Sequence, residues 1–217
     1  MDTSIARKTM VDTQMRPNQV DDEIALNAIL VTPREAFVPR VLHGVAYSDG
    51  DLPLGGGRFV MEPLVLARLL QAAAIQADDI VLAIGCATGY SAAVLSHMAG
   101  AVVAVESDGG LVEKATENLS GLEIDTVAVM ESDLKKGYSK QAPFDLIFFD
   151  GAVDDIPVEI SEQLAENGRL VAVVKAAGGA GKGVLMTRRN GALNQRDVFN
   201  ADIPYLPGFE PAAAFEF

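Results

Sequence analysis

The sequence predicts a doubly wound α/β fold: a mostly parallel, seven-stranded sheet with helices on both faces, finished by an antiparallel hairpin. Three observations predict it. Short continuous apolar runs, among them DIVLAIG at 79–85, AVVAVES at 101–107 and FDLIFFD at 144–150, read as strands buried on both faces. Segments with helical spacing separate these runs, the alternation that produces parallel sheets. Near the C-terminus, Asn190-Gly191 stands between GVLMTRR and ALNQRDVF, and that dipeptide favours a two-residue hairpin turn.

The elements follow in order. Residues 3–15 are expected to form a helix ended by Arg16-Pro17, and DDEIALNAIL at 21–30 a second one, with Ile24, Ala25, Ala28 and Ile29 at helical spacing. GGGRFVMEP at 55–63 reads as a loop opening a helix, because Pro63 suits a first helical turn and Leu64, Leu66, Leu69 and Leu70 form an apolar face behind it. After the first buried strand, GYSAAVLSHMAG gives a helix closed by Gly100. GGLVEKATENL gives the next helix, and EIDTVAVM the third strand. A helix is expected over 157–166 from Pro157, with Gly168 before strand RLVAVVK. The tail PYLPGFEPAAAFEF is too apolar for a solvated linker and is expected to pack back.

Length and composition limit the function. At 217 residues the chain suits one domain: an N-terminal helical and loop extension at 1–62, a ligand-binding core at 63–175 and antiparallel strands with a tail at 176–217. The net charge of −13 opposes nucleic acid and anionic membranes. No apolar run reaches membrane length and no secretory pattern opens the chain, so a cytoplasmic protein is expected. Its one cysteine and two histidines cannot build a Cys/His metal site, and no metal is expected. GGAGKG at 178–183 lacks the residues of a phosphate loop and reads as a connection.

The chemistry concentrates at strand ends. In VLAIGCATGYSAAVL, Gly85 and Gly89 bracket a strand-to-helix turn, where open α/β sheets hold ligands. About twenty residues on, Glu106 ends the next strand, where an acid accepts ribose hydroxyls. Asp133 follows the third strand and either meets an adenine amino group or serves as a helix cap or surface charge. With no lysine in the glycine turn, a nucleoside without phosphates fits better than a dinucleotide, and S-adenosyl-L-methionine is such a molecule.

The succession VTPREAFVPR, AYSDGDLPLGGGRFVMEP, VLAIGCATGYSAAVL, VVAVES, ESDL, GYSKQAPFDLIFFDGAVDDIP and NGRLVAVV closely resembles the protein-L-isoaspartate O-methyltransferase family, over roughly residues 10–175. The resemblance implies a Rossmann-like class I methyltransferase that binds S-adenosyl-L-methionine and methylates the carboxyl of isoaspartyl residues in damaged proteins or peptides. It implies a cofactor site of Gly85, Cys86, Ala87, Gly89, Tyr90, Glu106, Ser107, Asp133 and Leu134. The chain departs from the family pattern at Ala83, where an acid is usual, and at Ala87, where a glycine is. A lost charge-assisted contact of the first kind is worth about 1.5–3 kcal/mol.

The family loop reads much like Gly-x-Gly-Gln-Thr-Ile-Ser-Gln-Pro, so its threonine falls on Phe59, its serine on Met61 and its second glutamine on Glu62. Phe59, Val60 and Met61 are thereby the expected substrate-pocket residues, and Glu62 and Asp150 the expected catalytic ones. A carboxylate acceptor is already ionised at neutral pH and needs placement rather than a base. Glu62 at about 5 Å would oppose it by roughly 3 kcal/mol at an effective dielectric of about 20. Two alternatives follow: Glu62 or Asp150 orients an uncharged small-molecule acceptor, or the protein binds cofactor without turnover. Capping of the helix by Glu62, and of a turn by Asp150, is the structural alternative. The oligomeric state is not legible.

Overall fold

The structure, a computed structural model, describes residues 3–211. Helix α1 (Thr3–Met10) runs through a π turn and a 3₁₀ turn that takes in Pro17, so the N-terminal helical segment is longer and less regular than its sequence pattern indicates. Helix α2 (Glu23–Val31) is capped by Asp22, whose carboxylate accepts from the backbone N–H of Ile24 and Ala25. Its buried face is Ala25, Leu26, Ala28 and Ile29, while Ile24 is exposed.

The segment 52–60 folds as a hairpin, β1 (Leu52–Gly55) and β2 (Arg58–Val60), and these two strands pair only with each other. Helical spacing gives no sign of it. Gly55, Gly56 and Gly57 all have positive φ, which makes the tight turn. Helix α3 (Pro63–Ala73) follows, burying Leu66, Leu69 and Leu70.

The main sheet has seven strands, in the order β5-β4-β3-β6-β7-β8-β9. Its parallel part comprises β3 (Ile80–Ile84), β4 (Ala101–Glu106), β5 (Val127–Glu131), β6 (Phe144–Val153) and β7 (Leu164–Val174). Helices α4 (Tyr90–Ser96) and α5 (Gly109–Gly121) connect the first three of these strands. The antiparallel strands β8 (Lys182–Arg189) and β9 (Ala192–Asn200) close one edge. Asn190 and Gly191 both have positive φ at their turn, as the dipeptide requires. Strand order reverses at β3, between β4 and β6, so the crevice beyond the carboxyl ends of β3, β4 and β6 is the topological switch point of the sheet.

The helix expected over 157–166 is a single turn, α6 (Val158–Ser161). The chain leaves it because Leu164 pairs with Phe144. The Gln163 side chain meanwhile donates to the carbonyls of Lys136 and Glu159 and accepts from Tyr138 N–H, fixing an extended backbone. The tail packs back as far as it is described: the Ala152 N–H donates to Pro204, the Leu206 N–H to Ala152, and the Asp154 N–H to Phe209. Residues 212–217 of the expected apolar tail lie outside the described residues.

Candidate active site

At the switch point the chain turns at Gly85 (φ 81°) and Gly89 (φ 97°), with Ala87 between them at φ 49°. An alanine in the left-handed region is strained, which is why glycine is the usual residue there. The strain is held by packing and by a hydrogen bond from Ala87 N–H to Glu106 Oε2 at 2.9 Å. Thr88 Oγ1 donates to the Phe37 carbonyl at 2.6 Å and ties the turn to the N-terminal extension.

Glu106 is fully buried at the end of β4. Its Oε1 accepts from the N–H of Ser107 at 2.8 Å and of Asp108 at 3.3 Å. Its Oε2 accepts from Ala87 N–H and, at 2.6 Å, from Nη2 of Arg58. The same Nη2 donates to the Gly85 carbonyl at 2.6 Å. Arg58 is only 5% exposed, and its Nε has no hydrogen-bond partner. An orphaned buried donor of this kind costs about 1–3 kcal/mol.

Asp150 ends the apolar run of β6 and is buried, accepting a hydrogen bond from Ser91 Oγ of α4. Burial pushes its carboxyl up to about 6, the Ser91 bond and the Arg58 and Arg34 charges opposing the shift. It caps no turn. Glu62 occupies the N-cap position of α3, yet its side chain makes no capping bond, so the helix-capping expectation fails as well. The extended backbone at Glu62 (ψ 132°) gives its own N–H to Asp51 at 2.7 Å instead. Burial, then the charges of Asp49 and Asp51, raises the Glu62 carboxyl; Asp51 is raised chiefly by burial too.

The residues expected to line a substrate pocket are packed inside. Phe59, Val60 and Met61 are all buried in the hydrophobic core. Arg34, absent from the sequence-derived set, holds the backbone of this segment: its fully buried guanidinium donates to the carbonyls of Ala46, Val60 and Met61 and lies 4.8 Å over the ring of Tyr90. Burial lowers its pKa. Tyr90 is consequently turned toward Arg34 and Phe37, which meets it edge-on at 5.6 Å.

The remaining expected cofactor residues are dispersed by degree. Cys86 is buried, with its thiol pushed far up by burial and by Glu106, so it is no reactive nucleophile. Leu134 is buried, whereas the Asp133 side chain accepts from Lys135 N–H and caps a short 3₁₀ turn, the second of its two sequence readings. Sequence reasoning missed Arg34, Arg58, Ser91 and Leu206. None of the four carried a local signal: Arg58 meets its acid across 48 residues.

A sequence model of the Protein-L-isoaspartate(D-aspartate) O-methyltransferase family matches residues 6–207. The chain belongs to that family. A protein-L-isoaspartate O-methyltransferase of Koribacter versatilis is 40% identical over 168 residues, 77% of this chain and 76% of that protein. Protein-L-isoaspartate O-methyltransferase 1 of Rhodopseudomonas palustris is 37% identical over 201 residues, covering 93% and 82%. A solved protein-L-isoaspartate O-methyltransferase superposes with a TM-score of 0.83 at 25% identity, covering 94% of this chain and 67% of that one. A Plasmodium falciparum structure in complex with S-adenosyl-L-homocysteine shares the fold, with a TM-score of 0.77 at 20% identity and coverage of 92% and 97%.

The family uses S-adenosylmethionine, and the fold is that of a class I methyltransferase. The crevice of this chain, as arranged, does not fit that cofactor. Glu106, the residue expected to hold a ribose, has its oxygens taken by Arg58 and backbone N–H groups. A Cβ placed on Gly85 would meet Leu206 Cδ2 at 2.6 Å, and one on Gly151 would meet the same atom at 2.7 Å and Phe59 Cζ at 3.3 Å. Leu206 therefore lies directly on the two bare backbone faces that border the switch point. Among the described residues no helix is long and apolar enough to cross a membrane, and no group of three or more His, Cys, Asp or Glu side chains could hold a metal ion.

Proposed function

We propose that this chain is an S-adenosylmethionine-dependent carboxyl O-methyltransferase acting in the cytoplasm on isoaspartyl residues of protein and peptide substrates. The observation that carries the reading is Glu106, held at the switch point opposite the Gly85 turn by three backbone donors within a chain that matches the family along nearly its whole length. The chain's own residues then have distinct tasks. Arg34 locks Val60 and Met61 and so shapes the floor beside α3. Ser91 fixes the Asp150 carboxylate beside Gly151, where it orients whatever enters the crevice. An anionic acceptor supplies its own nucleophilic oxygen, so the protein's part is alignment and exclusion of water.

A second reading is favoured by one feature. Asp49, Asp51 and Glu62 gather at the junction of the hairpin and α3, near enough to raise Glu62, and Met61 replaces the family's loop serine. This acidic junction suits an uncharged acceptor better than a carboxylate.

Methyl release from an isoaspartyl peptide, set against its normal aspartyl twin, tests the first reading. Labelling confined to the isoaspartyl peptide is expected; equal and negligible labelling of both contradicts it. Glu62→Gln separates the acceptors: turnover of the isoaspartyl peptide rises if Glu62 repels it, whereas loss of activity on a neutral acceptor marks Glu62 as its base.

A further inference from the structure

We propose that Arg58 and Leu206 form a two-part internal plug that holds the cofactor crevice shut, the Arg58 guanidinium standing in for the ribose hydroxyls on Glu106. Cofactor enters when the hairpin and the tail segment withdraw. The inference rests on the methyltransferase reading above and adds to it a closed state built into the chain.

Four observations carry it. First, the Arg58–Glu106 contact is a buried ion pair, with side chains 4% and 0% exposed, on the one acid that the fold places for a ribose. Hydroxyl donors and the guanidinium compete for the same Oε2. Second, Arg58 is a poor structural fixture, because its buried Nε is left without an acceptor. Third, Leu206 occupies the bare faces of Gly85 and Gly151, filling the adjoining space with a side chain from a different segment. Fourth, neither part belongs to the main sheet: the hairpin strands pair only with each other, and the tail meets the end of β6 through three backbone hydrogen bonds, the bridge from Tyr205 to Ala152 and the edge-on contact of Phe209 with Phe149. Withdrawal exposes buried side chains, Phe59 and Val60 of the hairpin and Leu206 and Phe209 of the tail, but breaks no pairing among the seven strands of the main sheet.

The family loop quoted above has a neutral glutamine where this chain has Arg58. Glutamine retains a donor for the Gly85 carbonyl but brings no charge to Glu106, so it removes the ion pair without emptying the position. Arg58→Gln is thus the conservative variant.

The test is calorimetric titration of S-adenosylhomocysteine into the wild-type chain, Arg58→Gln, Leu206→Ala and the double variant, each checked for folding by far-ultraviolet circular dichroism and a cooperative melt. Arg58→Gln is expected to bind at least tenfold more tightly than wild type, and the double variant more tightly still. If Arg58→Gln fails to fold, Leu206→Ala, which leaves the ion pair intact, is expected to bind at least threefold more tightly. Equal affinity in wild type and both single variants overturns the plug and leaves the methyltransferase reading standing. No binding by any folded form overturns both.

Discussion

Two ion pairs, one partly and one fully buried, stand at opposite ends of β3, and they are built differently. At the base, Arg169 donates Nε to the Ala73 carbonyl at 2.8 Å and pairs with Asp79, which also accepts from Gln76 N–H at 2.7 Å. At the mouth, Arg58 pairs with Glu106 but keeps an Nε without a partner. The base pair joins α3, β3 and β7 with its polar groups matched. The mouth combines the unmatched Arg58 Nε with a buried carboxyl, Asp150, whose pKa is raised. Gln14 Oε1 and Arg188 Nε, on other elements, also lack partners, so what distinguishes the mouth is the coincidence of the Arg58 Nε with the raised carboxyl of Asp150.

The largest effect belongs to the base. Asp79→Ala strands Arg169 and should destabilise the chain by about 3–5 kcal/mol, read as a lower urea midpoint. It should leave the affinity for S-adenosylhomocysteine unchanged. A loss below 1 kcal/mol would remove the contrast between the two ends.

Next comes Asp150, where the sign is opposite. Its folded pKa of about 6 lies above the ordinary 3.8, so the folded chain holds that proton more tightly than the unfolded one. Stability is fully present below about pH 4 and is lost as pH rises through 6. Asp150→Asn should therefore stabilise the chain at pH 8, by up to about 3 kcal/mol at 1.36 kcal/mol per unit, and change little at pH 4. Melting curves at the two pH values decide it; a destabilised variant at pH 8 would show that the ionised form is the one the fold favours.

The smallest effect is expected at Arg58. Removing its charge leaves Glu106 with three backbone donors and ends the cost of the orphaned Nε, so Arg58→Gln should lose only about 1–2 kcal/mol. Saturating S-adenosylhomocysteine should restore that loss, because a ligand bound only to the folded state stabilises it. A loss as large as that of Asp79→Ala would make Arg58 a fold-determining residue like its counterpart at the base.

The contrast also explains what the sequence made legible. Buried strands of a parallel sheet are continuous apolar runs, so DIVLAIG, AVVAVES and FDLIFFD reveal themselves, and Asn190-Gly191 announces its own turn. Glu106 and the glycine turn are readable because their spacing is local. The 52–60 hairpin is not, since three glycines carry no strand propensity and its two strands are short. Helix 157–166 misleads because Leu164 gains more by pairing with Phe144 than by propagating one turn. The plug is the least legible feature: Arg58 meets Glu106 across 48 residues, and Leu206 reaches Gly85 from the far end of the chain, contacts that no local pattern encodes. Phe59, Val60 and Met61 are buried, and the placement of the Arg34 guanidinium on the carbonyls of Val60 and Met61 is equally non-local.

The most direct test of the closed crevice follows the Arg58 side chain itself. In Leu206→Ala protein, which retains Arg58, the Nε–H resonance assigned by comparison with Arg58→Gln should be resolved and slow to exchange before ligand is added. On saturation with S-adenosylhomocysteine the account predicts that this resonance moves to the position of solvent-exposed arginines while that of Arg169 stays fixed. Saturated ligand binding with the Arg58 resonance unmoved would contradict it, for then nucleoside and guanidinium do not share Glu106.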